Sequence, residues 1–166
     1  MDYRPARIGA SSMANGVTNR SLHQSAGVYR GHCLCTSVQF EIRGPLRPVI
    51  YCHCEMCRRT SGHFVAATAC APEALILLFS SALQWYRSSP HARRGFCAVC
   101  GSSLFWEPIH RRYISVIAGS LDTPTGLTAS EHIYVGSAGD YYSIQDGLPQ
   151  QLQWGISAPG EGDRPA

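Results

Sequence analysis

The sequence contains no long hydrophobic run. No stretch of its 166 residues approaches the roughly 18 consecutive apolar residues that a membrane-spanning helix needs. Residues 1–27 also lack the continuous apolar segment of a secretory signal peptide. We therefore expect a cytoplasmic protein that does not bind membranes and whose thiols stay reduced.

The sequence also has little excess of positive over negative charge. The formal net charge is only +3 and is spread along the chain, which gives no basis for expecting nucleic acid as a partner. We expect small-molecule partners, and the sequence does not determine the oligomeric state. Five arginines are each explained most simply as solvent-facing residues at strand ends: Arg87, Arg93, Arg94, Arg111 and Arg112.

Composition divides the chain into three parts. A length of 166 residues with 45% hydrophobic content is sufficient for one core. Residues 1–27 are rich in Ser, Asn, Gly and Arg, and residues 155–166 are rich in Gly and Pro, so both ends are predicted to be flexible. We expect a single folded domain over residues 28–154.

Short segments of alternating character run through this domain. Val38, Phe40 and Ile42, for example, fall on one face of a half-buried strand. Glycines and prolines separate the segments, and no amphipathic helix of three turns is evident. The pattern predicts an all-β fold of small antiparallel sheets, with strands at 37–43, 47–52, 64–70, 74–79, 102–106, 112–118 and 131–135.

Cysteine is abundant, and seven of the eight cysteines form three tight clusters. Clustered thiols in a reducing compartment bind metal more often than they form disulfides. A closed tetrahedral zinc site takes four ligands, so seven thiols make one complete site and one site that is a ligand short. The clusters are Cys33 and Cys35; Cys52, Cys54 and Cys57; and Cys97 and Cys100.

The outer two clusters are predicted to form a closed structural zinc site. Cys97 and Cys100 precede Gly101 in the pattern of a zinc knuckle. Cys33 and Cys35 are placed at the start of the first strand, where alternate residues point to one face and can reach one ion. The alternative is four free thiols.

The middle cluster is predicted to hold a second, catalytic zinc. Cys52, Cys54 and Cys57 can bind one ion from three sides, and a substrate thiol entering the remaining position would lose its proton to the metal. In the alternative, a fourth protein ligand closes this site and makes it structural. The candidates for that ligand are His53, His63 and Cys70.

Four segments closely resemble the glutathione-dependent formaldehyde-activating enzyme family, also called the centromere protein V family: 31–35, 51–62, 94–102 and 118–122. The resemblance spans about residues 28 to 150 and includes all seven clustered cysteines. It implies an Mss4-like fold of small stacked β-sheets, two zinc ions, and a carbon–sulfur lyase type of reaction that condenses formaldehyde with glutathione. His32 and Thr36 stand where the family usually has glycine.

Residues near the middle cluster are further candidates. Arg58 and Arg59 could pair with the carboxylates of a glutathione-like thiol, or form a solvated surface pair. His53 and Glu55 are candidate proton carriers, although His53 should point away from the metal and Glu55 also fits an exposed turn. His132 fits either the pocket or a hydrogen-bonded position in the core.

Three functions are considered for these residues, and two of them remain. The first is a zinc enzyme acting on a thiol and a small carbonyl compound. The second is a non-enzymatic zinc-stabilised module for protein interaction, which would require an apolar surface patch. Methionine sulfoxide reduction on the same general fold is excluded, because no cysteine follows Cys100 to serve as its late nucleophile.

Overall fold

The computed structural model describes residues 27–154, and the predictions for residues 1–26 and 155–166 lie outside the described residues. Strands dominate this part of the chain, which confirms the all-β prediction. None of its helices is long and apolar enough to cross a membrane. The elements are β1 Val28–His32, β2 Gln39–Arg43, β3 Val49–Cys52, α1 Glu55–Ser61, β4 Val65–Cys70, β5 Leu75–Phe79, β6 Leu83–Ser89, β7 Ala92–Cys97, β8 Ser103–Pro108, β9 Ile114–Ile117 and β10 Ala129–Ile133.

The strands form two sheets. One has the order β1-β2-β5 and the other β10-β3-β4-β9-β8-β7-β6. All seven predicted strands are present, and β1, β6 and β7 were not predicted. The strand pairs are antiparallel as predicted, with one exception: β10 runs parallel to β3. Nothing in the local sequence of either strand indicates this pairing, which joins segments far apart in the chain.

The core lies between the two sheets. Val38, Phe40 and Ile42 are at most 1% exposed, as their alternation predicts. The ring of Phe40 packs edge-on against Phe105 of β8, with ring centroids 5.0 Å apart. Burying an apolar side chain of this size contributes about 1.5–3 kcal/mol. This packing helps to position β8 and its neighbour β7, which ends at Cys97.

Helix α1 is short because both of its ends are capped. The Sγ atom of Cys54 accepts a hydrogen bond from the backbone N–H of Cys57 at 3.4 Å at the start of the helix. Gly62 ends it in the left-handed conformation, with its N–H donating to the carbonyl of Arg58. The result is a helix of seven residues whose first turn places the sulfur of Cys57 near that of Cys54.

A segment without strands, residues 138–154, returns along β10 and is called the return segment below. The N–H of His132 donates to the carbonyl of Pro149, and the carbonyl of His132 accepts from the N–H of Gln151, both at 2.8 Å. These bonds place the return segment beside β10 and carry Trp154 to the neighbourhood of Tyr134.

Candidate metal centres and adjoining cavity

Cys33, Cys35, Cys97 and Cys100 come together as the sequence predicts. Their four sulfur atoms lie within 4.8 Å of one another. The Sγ atom of Cys35 is 3.6 Å from that of Cys33 and 3.7 Å from that of Cys97. Sulfurs bound to one tetrahedral zinc ion at roughly 2.3 Å stand about 3.8 Å apart. The cluster therefore has the spacing of a site in which four thiolates hold one metal ion.

The local structure of the first pair differs from the prediction. Cys33 and Cys35 lie in the turn between β1 and β2, not at the start of a strand. The turn lets the N–H of Val38 donate to the Sγ atom of Cys33 at 3.3 Å. In an extended strand this N–H would bond to a neighbouring strand. The turn leaves it available to donate to the sulfur atom.

The second pair sits in a matching turn. The N–H of Gly101 donates to the carbonyl of Cys97 at 2.8 Å, with Gly101 at φ +75°. Thr36 occupies the equivalent left-handed position in the first turn, at φ 61°. The family that the sequence resembles usually has glycine at this position. Thr36 therefore adopts a backbone conformation that is unfavourable for a residue with a side chain.

Hydroxyl groups support the thiolates at the rim of this cluster. Hydrogen bonding by Ser102 lowers the pKa of Cys100 to about 5. Hydrogen bonding by Ser37 likewise lowers the pKa of Cys35. Burial has the opposite effect on Cys97 and raises its pKa to about 11. The rim thiols of Cys35 and Cys100 are thus more readily deprotonated than the buried thiol of Cys97.

The middle cluster also comes together. The sulfur atoms of Cys52 at the end of β3, Cys54 at the start of α1 and Cys57 within α1 lie within 4.8 Å of one another. Hydrogen bonds from Cys52 and Cys57 hold the pKa of Cys54 well below its usual range. The same contact with Cys54 raises the pKa of Cys52. Three sulfur ligands on two elements therefore form a second site that could hold a metal ion.

No fourth His, Cys, Asp or Glu joins this group among residues 27–154. Cys70 belongs to the hydrophobic core, where burial raises its pKa to about 12. His53 uses both ring nitrogens in other contacts. His63 is exposed and packs against Phe64. The closed alternative for the middle site thus has no ligand in the described part of the chain.

Arg94 was expected at a solvent-facing strand end, and this expectation is wrong. It is only 8% exposed, and its Nη2 atom donates toward the Sγ atom of Cys57 at 3.6 Å. Its strand, β7, lies between β6 and β8, so both edges of the strand are paired and Arg94 is not at the border of the sheet. The buried guanidinium would offset part of the negative charge that three thiolates bring to a metal-loaded site.

A cavity of about 200 Å³ adjoins the middle cluster. Its walls are mainly apolar side chains from several strands of the larger sheet, and Tyr134 and Trp154 stand near each other on its lining. Sequence reasoning missed this cavity and the place of Trp106 on its lining. The alternation of Trp106 with the buried Phe105 was the available signal, because adjacent strand residues face opposite sides. The apolar residues on the lining are Ile50, Met56, Val65, Ala67, Trp106, Ile117, Ile133 and Trp154.

His53 faces away from this cavity into a chain of polar groups. Its Nδ1 atom contacts the hydroxyl of Tyr142, and its Nε2 atom lies 2.8 Å from Nδ1 of His132. The Nε2 atom of His132 lies 2.9 Å from the carboxylate of Asp146. Burial and the nearby His132 and His63 lower the pKa of His53 to about 4. His132 is therefore a hydrogen-bonded core histidine, one of the two possibilities that its sequence context allows.

The other candidates, Glu55, Arg58 and Arg59, all lie on α1. The Nε atom of Arg59 donates to the carboxylate of Glu55 at 2.8 Å on the exposed face of the helix. Glu55, Arg58 and Arg59 are absent from the lining of the cavity, and so is His53. Their catalytic and substrate-binding roles stay predictions. The arginines that do line the cavity are Arg47 and Arg94.

Comparisons with known proteins place the chain in a family. One similar solved structure is the crystal structure of a Rhodobacter sphaeroides protein, which is 23% identical and covers 57% of this chain and 88% of its own, with a TM-score of 0.48. No curated protein matches the chain. Residues 28–137, well over half of the chain, match the family profile described as glutathione-dependent formaldehyde-activating enzyme. The chain belongs to the glutathione-dependent formaldehyde-activating enzyme family.

Proposed function

We propose that this protein is a zinc enzyme that joins a thiol to a small carbonyl compound, or cleaves the product of that reaction. A glutathione-like thiol and formaldehyde are the compounds that the family description suggests. One observation carries the proposal. Three sulfur ligands, with no fourth ligand beside them in residues 27–154, border a cavity large enough for a small molecule.

Zinc suits both clusters because thiolates at tetrahedral spacing favour it. In the site of four cysteines it would be structural. Bound by Cys52, Cys54 and Cys57, zinc would retain one position for a further ligand and lower the pKa of a thiol that takes it. Arg94 beside Cys57 would keep this anionic site close to neutral.

The proposed reaction needs no other reactant. The substrate thiol loses its proton, and its sulfur forms a carbon–sulfur bond with the carbonyl carbon. The C=O π bond breaks and the oxygen takes up a proton, so a thiol and an aldehyde give a hemithioacetal. The chain's contribution is to hold the two compounds together and to exclude water with the apolar walls of the cavity.

Native mass spectrometry of the full chain, purified without chelator, tests the metal sites directly. We expect two zinc ions per chain, and excess glutathione should add to the protein or remove one ion. Two ions that ignore glutathione would contradict an open middle site. In the matching kinetic assay, Cys54→Ala should abolish activity and keep the fold, whereas Cys70→Ala should leave activity intact.

A second function, a zinc-stabilised interaction module, has one observation in its favour. Strand β5 lies at the edge of the smaller sheet and carries Leu77, Leu78 and Phe79, which are 41%, 47% and 61% exposed. An exposed apolar edge strand is a typical interaction surface. This function predicts that the zinc-loaded protein does not accelerate hemithioacetal formation with any aldehyde.

A further inference from the structure

The cavity beside the middle cluster is much larger than formaldehyde requires. Its volume is about 200 Å³, and an apolar protein cavity of roughly 150 Å³ is sufficient to bind benzene. Formaldehyde, with one carbon and one oxygen, would leave most of this space unfilled. An apolar space of this size favours an occupant that fills it.

Water is a poor substitute for such an occupant. A water molecule in a protein needs two to four polar partners, and aliphatic and indole groups make up most of this lining, as with Ile50, Ile117, Ile133 and Trp106. Two charged groups belong to the lining: Arg94 contacts Cys57, and Arg47 has its Nη2 atom donating to the carbonyl of Ala67. The cavity therefore has a reactive end at the sulfurs and mainly apolar walls elsewhere.

Two buried N–H groups are candidates to bind the substrate oxygen. The Nε atoms of Arg47 and Arg94 are buried and have no hydrogen-bond partner in the structure. Both residues belong to the cavity lining. A buried donor without an acceptor is costly, and a carbonyl oxygen or the alkoxide formed from it would satisfy it.

The polarity of the cavity decides which reactant it holds. A glutathione-like thiol is a peptide with carboxylates and amides, which an apolar chamber would leave without partners. Such a thiol can present only its CH₂–SH end to the sulfurs. The space beyond the sulfurs is then left to the carbonyl compound.

Resting on the proposed function, we infer that the carbonyl substrate is an aldehyde with an apolar substituent close in size to a phenyl ring. The substituent lies between Ile50, Ala67 and Ile117, and its carbonyl oxygen is held by the Nε–H of Arg94. The reaction itself is unchanged, and the substituent takes no part in bond making.

Rate acceleration over the uncatalysed reaction, measured for formaldehyde, isobutyraldehyde and benzaldehyde with glutathione, tests this inference. The zinc-loaded chain should accelerate the benzaldehyde reaction at least tenfold more than the formaldehyde reaction, because filling an apolar pocket commonly changes specificity by that factor or more. Ala67→Leu, which narrows the cavity, should remove most of the preference. The matched control Ala66→Leu changes the opposite face of β4 and should keep it.

Binding of unreactive benzyl alcohol, followed by quenching of tryptophan fluorescence, provides a readout that is independent of catalysis. It should bind the wild type and Ala66→Leu, and bind Ala67→Leu at least tenfold more weakly. Ile117→Phe, which fills the cavity from a different strand, replaces Ala67→Leu if that variant does not fold.

The outcomes separate the two claims. If formaldehyde is accelerated as much as the larger aldehydes and benzyl alcohol does not bind, the inference is overturned and the proposed function stands. If no aldehyde is accelerated, the substrate assignment and the proposed function both fail. A preference for benzaldehyde that the cavity variants abolish supports both.

Discussion

His53 Nε2 lies 2.8 Å from His132 Nδ1 in the interior of the protein. In the tautomers that leave both rings neutral, the Nε2–H of His132 donates to Asp146 and its Nδ1 accepts from the Nε2–H of His53. Nδ1 of His53 then accepts from the hydroxyl of Tyr142. This assignment of protons satisfies every ring nitrogen with both histidines neutral. It also ties β10 and the residue that follows β3 to the return segment, which supplies Tyr142 and Asp146.

Removing the hydroxyl at the end of this chain should destabilise the protein. Tyr142→Phe leaves the Nδ1 atom of His53 buried without a partner, and His53 is 0% exposed. We expect a loss of about 1–3 kcal/mol in the free energy of unfolding. The neighbouring Tyr141→Phe, which removes an exposed contact with Gly62, should change it by less than about 0.5 kcal/mol. Equal effects in urea denaturation would contradict a buried chain of bonds.

Glycine is required at position 31 by a close approach. A Cβ atom there would collide with the ring of Phe40 and lie 2.6 Å from the carbonyl oxygen of Ser120. Gly31→Ala should therefore cost about 1–3 kcal/mol of stability. Gly119→Ala is the control, because its Cβ meets nothing within 4 Å. Thermal unfolding should show a lower melting temperature for the first variant only.

The two cysteine turns predict a pair of substitutions with opposite signs. Thr36 and Gly101 both adopt positive φ, at 61° and 75°. Thr36→Gly relieves the strain of a side chain in this region and should stabilise the protein by up to about 1 kcal/mol. Gly101→Thr introduces the same strain and should destabilise it by about 1–2 kcal/mol. Destabilisation by Thr36→Gly would show that the Thr36 side chain contributes more than its backbone costs.

The number of bound metal ions should depend on the middle cluster and not on Cys70, the cysteine outside the three clusters. Cys57→Ala removes one of three sulfur ligands and should lower the bound metal by one ion per chain in native mass spectrometry. Cys70→Ala replaces a core thiol that is 4% exposed and should leave the metal count unchanged. An unchanged count in Cys57→Ala would mean that the middle cluster does not hold an ion in solution.

Local features of the fold were accessible from the sequence to different degrees. The alternation of Val38, Phe40 and Ile42 predicted a strand with one buried face, because side-chain direction follows directly from strand geometry. Strands β6 and β7 gave a weaker signal, since charged residues such as Arg93 and Arg94 interrupt their apolar positions. The parallel partner of β3 had no local signal at all.

The sequence by itself determined the spacing of the cysteines within each of the three clusters. Ligand spacings such as that of Cys97 and Cys100 depend on a few bonds of chain, so short-range geometry already specifies them. The tertiary structure decided what surrounds the sulfurs: the buried Arg94, the apolar cavity, and the turn rather than strand at Cys33. These features depend on strand order and register, which result from many weak contacts summed over the whole core and which no single segment encodes.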